Sequence, residues 1–159
     1  MLALSVTSGP VMAHDVYLVA RKLNKPMPDG STVAMWGFAP DSDSNLATIE
    51  ADPATVPGPV ITVPEGDTTL RVHLRNELAV PVSIVIPGLP AAPAPTWVEP
   101  DGTELKGSRG GSVTARLRSM AAEAAPKSQS NPAGGTALYE WTNVTSGTYL
   151  YHSGTDPQI

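Results

Sequence analysis

Residues 57–78 read PGPVITVPEGDTTLRVHLRNEL, and the second half of that run decides the fold class. Apolar and charged side chains alternate strictly across 70–75. Leu70, Val72 and Leu74 share one face, while Arg71, His73 and Arg75 share the other. A period of two is the signature of a β-strand with one face toward a core. Just upstream, Pro64-Glu65-Gly66-Asp67 reads as a tight turn, and Pro57-Gly58-Pro59 leads into an extended run at 60–63. Just downstream, residues 80–86 are nearly all apolar and mostly β-branched, the pattern of a strand buried on both sides.

The rest of the chain repeats this rhythm. Extended runs at 16–20 and 32–38 flank a turn at Lys25-Pro26-Met27-Pro28-Asp29-Gly30, and a polar loop follows at 41–45. Residues 87–111 are rich in turn formers, and 127–135 form a small-polar loop. Two further runs, 137–142 and 148–152, flank a turn at Ser146-Gly147. Helix propensity is high only at 118–125 (RSMAAEAA), with Pro126 as a stop. Pairing routinely overrides propensity, so a strand is expected over 113–119. The 17 prolines and 14 glycines among 159 residues penalise long helices. These features predict an all-β domain of short strands, a sandwich or a barrel.

Composition excludes several functions. The net charge is −5 and no basic stripe is present, so nucleic acid is not an expected partner. No apolar run approaches the roughly 20 residues of a spanning helix, so no membrane span is expected. There is no cysteine, which rules out disulfides, zinc–thiolate sites, thiol nucleophiles and a thiolate-ligated blue copper on this chain. Residues 1–13 (MLALSVTSGPVMA) read either as a truncated signal peptide lacking its basic start, with cleavage after Ala13, or as a frayed N-terminus of no significance, and the first is the expectation. A periplasmic or secreted protein is therefore expected, with the domain spanning 14–159.

Few residues here bear chemistry. His73 lies between two arginines on the polar strand face and is expected at the surface. Alternation places His152 with Thr148 and Leu150, opposite Tyr149 and Tyr151, and so predicts an inward-pointing side chain, either a core histidine or a metal ligand. His14 would become the amino terminus after cleavage, where amine and imidazole together chelate copper. The carboxylates Asp41, Asp43, Glu50, Asp52, Glu65, Asp67, Glu99 and Asp101 mostly fall beside turn residues and read as solvated. Gly107 to Gly111 (GSRGG) lacks the strand-to-helix setting of a phosphate loop. No serine sits in a nucleophile elbow. Asn143-Val144-Thr145 matches a glycosylation sequon.

Three motifs, in order, resemble a known family. PGPVITVPEGDTTLRVHLRNEL at 57–78 is similar to the first plastocyanin-like domain of multicopper oxidases, with its PGP-x-I-x-V-x-x-GD turn and V-x-L-x-N-x-L strand. SIVIPGLP at 83–90 falls where the family carries SIHWHGLP, and GTYLYHSG at 147–154 resembles GTYWYHSH. Over about 35–159 the resemblance implies a cupredoxin-like Greek-key β-sandwich, incomplete at its C-terminus. It further implies further cupredoxin domains in the same parent chain and copper as the cofactor of an oxidoreductase. In the family the histidines of HWH and HSH bind a trinuclear copper cluster. Val85 and Pro87 stand at the first two positions, Gly154 at the last, and His152 alone is kept, as the one implied metal ligand. The expected role is thus mainly scaffold. The alternatives are a copper-free binding or assembly module using Trp36, Trp97 and Trp141, and a small copper carrier using His14, His152 and the methionines Met27, Met35 and Met120. Self-association is left open.

Overall fold

The computed structural model describes residues 12–45, 52–89, 94–107, 109 and 111–155. The described chain is all-β, with no helix among these residues. Its strands are β1 (Ala13–Pro26), β2 (Thr32–Pro40), β3 (Thr69–Asn76), β4 (Thr96–Val98), β5 (Glu104–Lys106), β6 (Arg116–Ser119) and β7 (Thr136–Thr142).

Four of them form the main sheet, in the order β2-β1-β3-β7. β1 and β2 make a hairpin around the expected turn, where Gly30 takes a φ of 83° and Asp29 Oδ1 accepts the Ser31 N–H at 2.9 Å. β1 runs parallel to β3, with Val16 opposite Val72 and Leu18 opposite Leu74. β7 is antiparallel to β3, with Tyr139 opposite Val72 and Trp141 opposite Leu70. This register puts Leu18, Leu70, Val72, Leu74, Tyr139 and Trp141 on one face, where all are buried. The alternation in 70–75 therefore does what it predicts. Residues 82–86, Ala121 and Ala124 cover that face, with Tyr149 and Tyr151 packed at its margin. A smaller sheet, β5-β4-β6, joins this second layer, and Ser119 at the end of β6 bridges Thr155.

Several sequence expectations need correction. Residues 80–86 do not form a ladder strand. Val82 bridges Ala124 and Val85 bridges His152, each as an isolated pair, and Val80 is 36% exposed. Residues 60–63 run without strand pairing, and Val60 is almost fully exposed. The strand expected at 113–119 starts only at Arg116, with Val113 in solvent. Residues 148–152 pair only at His152. These stretches pair late, at isolated residues or not at all, so apolar content alone does not build a ladder. The signal-peptide reading lies outside the described residues except for Met12 and Ala13, where β1 begins.

Candidate functional site

The segments 83–89 and 147–154 meet in space. Val85 N–H donates to His152 O at 3.0 Å, and His152 N–H donates to Val85 O at 3.1 Å. Met120 N–H reaches Gly154 O at 2.8 Å, adding the end of β6 to the same junction. A shallow hollow of about 250 Å³ opens beside the pair, lined by Val85, Pro87, Leu89, Met120 and Trp141 among others. Its floor is apolar because Trp141 and Ala121 come from the core.

Packing at this junction is close. A Cβ built on Gly154 would lie 2.6 Å from Val85 Cγ1, 3.2 Å from Ser83 Oγ and 3.3 Å from Met120 Cβ. Beneath it, three hydroxyls bond to one another. Ser83 Oγ and Ser119 Oγ are 2.9 Å apart, and Thr155 Oγ1 donates to Ser83 Oγ at 3.0 Å. Ser119 Oγ also donates to Ala121 O at 2.7 Å. Ser83 and Ser119 are wholly buried, so each hydroxyl needs these partners. The trio staples the three segments together. Nothing in the sequence marks it, because its members lie far apart in the chain.

His152 points outward, against the sequence expectation. Tyr149 and Tyr151 are the side chains that turn to the core, and Tyr151 Oη donates to Pro59 O at 2.7 Å. Alternation then sends Leu150, 82% exposed, and His152 to solvent. Alternation correctly sorts the two pairs, but which pair is buried depends on what the tyrosines meet. The His152 imidazole Nδ1 lies 2.8 Å from Ser153 O. The other histidines sit in separate settings. His14 Nδ1 is 4.0 Å from Asp67 Oδ2. His73 is half-buried rather than simply solvated. It stacks on Tyr17 at 4.4 Å between ring centroids, and its Nε2 lies 2.7 Å from Asp15 Oδ1.

Where the sequence resemblance would put copper ligands, the chain thus has one exposed imidazole, a valine, a proline and a glycine with no room for a side chain. Among the described residues no group of three or more His, Cys, Asp or Glu side chains converges on a metal-sized site. Valine and proline side chains have no lone pair to donate. This donor set does not fit a trinuclear copper cluster.

The carboxylates divide. Asp43, Glu65 and Asp101 are exposed as expected, Asp52, Asp67 and Glu99 are half-buried, and Glu50 lies outside the described residues. Asp41 is the correction: it is only 4% exposed, and both carboxylate oxygens are buried without a hydrogen-bond partner among the described residues. Burial, and then the neighbouring Asp43 carboxyl, push its pKa up to about 6, partly offset by Arg75. Arg75 is also buried and donates to Glu77 Oε1 at 3.0 Å, while Arg21 holds Glu77 Oε2 at 2.7 Å. The polar face of the main sheet is therefore covered at this end.

The other candidates are scattered. Trp141 is core, and Trp36 is 52% exposed on β2. Trp97 lies under the Arg109 guanidinium at 5.3 Å. Met27 and Met120 are exposed at unrelated places, and Met35 is half-buried. Gly107 and Gly111 carry positive φ angles of 91° and 80° in the turn before β6. Asn143 is exposed just past β7.

No family model matches the chain, and no curated protein matches it.

Proposed function

We propose that this chain is a cupredoxin-type scaffold domain belonging to an exported copper-oxidase-like protein, and that its copper position has been closed by apolar packing. The Val85–His152 backbone pair carries this reading. It joins the two segments whose sequences resemble the ligand-bearing motifs, in order and face to face. Val85 Cγ1 sits against Gly154, so the place of two ligands is taken by van der Waals contact. In this reading the domain supplies a rigid wall and a docking margin to further cupredoxin domains of the same parent. Any substrate oxidation belongs to those domains, since a substrate-oxidising copper of that type needs a thiolate. An all-β architecture with a mixed main sheet is compatible with this assignment. So is the absence, among the described residues, of a helix long and apolar enough to cross a membrane.

The apolar hollow at the junction favours the related reading of a copper-free assembly module. The two readings part on the parent protein: the first requires a His-Cys-His cupredoxin motif elsewhere in it. The functional test is an oxygen-uptake assay with phenolic substrates on the copper-loaded chain. No turnover above the buffer with free copper is expected, for the wild type and for His152→Ala alike. Oxygen-dependent turnover that His152→Ala abolishes would overturn the proposal.

A further inference from the structure

We infer that the chain self-associates through β7, forming a two-fold dimer in which the main sheet of one copy continues into that of a second. β7 is the last strand of its sheet and is bonded to β3 on one side only. Every second residue of an antiparallel strand turns its N–H and C=O away from the first neighbour. Among the described residues no backbone or side-chain group bonds to that outer edge of Thr136–Thr142. The opposite edge of the sheet is partly guarded: Thr55 N–H bonds Phe38 O on β2 at 3.2 Å, and Lys25 Nζ holds Val56 O alongside. Sheet edges are usually blunted by proline, lysine or a bulge. The β7 sequence TALYEWT has no proline or lysine, and its register with β3 is unbroken.

The occupant follows from self-complementarity. Antiparallel pairing centred on Tyr139 engages all seven residues. Thr136 then faces Thr142 of the second copy, Ala137 faces Trp141, and Leu138 faces Glu140. No like charges stand opposite one another, and paired threonines are favourable cross-strand neighbours. The single charge on the strand, Glu140, is already held by Arg71 Nε at 2.6 Å. Leu138, 52% exposed, gains the aliphatic stem of Glu140 from the second copy. One operation satisfies both edges at once, as an isologous interface requires. An edge-to-edge contact buries less than the roughly 1,200 Å² of a stable standard interface, so the dimer is weak and concentration-dependent.

Sedimentation velocity over a concentration series up to millimolar tests this, on the intact chain and two variants at the exposed Leu138. Leu138→Glu sets two symmetry-related Glu–Glu oppositions across the interface and should raise the dissociation constant roughly tenfold. Leu138→Lys sets two Lys–Glu oppositions and should leave the dimer intact or tighten it. Circular dichroism and the melting temperature confirm that both variants fold. A chain monomeric at every concentration overturns the inference. So does a dimer that responds equally to both variants, because that interface lies elsewhere or in another register.

Discussion

Val85 and His152 exchange both main-chain hydrogen bonds, at 3.0 and 3.1 Å, and this reciprocal pair locks two distant segments over the core. The imidazole of the second residue nonetheless faces solvent, while the side chain of the first helps line an apolar hollow. Backbone pairing and side-chain chemistry are thus uncoupled here. The junction is built from backbone pairing and from apolar contact between Val85 and Gly154.

Gly154 is the tightest point of that junction. Its absent Cβ leaves room for Val85 Cγ1, which a built Cβ would approach to 2.6 Å. Gly154→Ala should cost about 1–3 kcal/mol, the usual range for overpacking a closed site. The double variant Val85→Ala/Gly154→Ala should recover part of that loss, measured by urea unfolding. A strictly additive double variant would show that the two residues do not contact one another.

Residues 82–86 should behave as interior despite forming no ladder. Ile84 is 1% exposed, so Ile84→Ala should destabilise by about 2–5 kcal/mol. Val85→Asp places a carboxylate without a partner in the apolar hollow and should cost about 2 kcal/mol or more. Val80→Asp, at the exposed start of the segment, should change stability by less than about 0.5 kcal/mol. Equal effects at 80 and 85 would contradict the burial pattern.

Much of the fold was legible because it is local. The alternation in 70–75 assigned Leu70, Val72 and Leu74 to the core, and the turn around Gly30 marked the first hairpin. What was illegible depends on distant partners. His73 gains Tyr17 and Asp15 only through the parallel register of β1 on β3, which no local pattern encodes. Ser83, Ser119 and Thr155 look like ordinary loop hydroxyls until the chain brings them together. Asp41, beside a polar loop, reads as solvated. Its burial comes from the position it takes against Tyr17, whose carbonyl accepts the Asp41 N–H at 2.9 Å.

Asp41 gives the protein a pH dependence of unusual sign for a carboxylate. Its folded pKa, about 6, lies above the ordinary value of 3.8, so the folded state holds the proton more tightly than the unfolded chain. The contribution is fully present below pH 3.8 and is lost as pH rises through about 6. Over that window it amounts to on the order of 2–3 kcal/mol. Asp41→Asn, which mimics the protonated form, should flatten this component and stabilise the chain at neutral pH. Thermal melts of wild type and variant from pH 4 to pH 7.5, with constant ionic strength, check it. A variant less stable than the wild type at neutral pH would contradict the assignment.

We propose that the junction of 83–89 with 147–154 is packed shut by Val85 against Gly154 and holds no copper cluster. Equilibrium dialysis of the purified chain against Cu(II), followed by desalting and metal analysis, decides this. Weak uptake through the exposed imidazole of His152, removed by desalting, and less than one retained copper per chain are expected. Two or more coppers retained per chain, with uptake lost in His152→Ala, would contradict it.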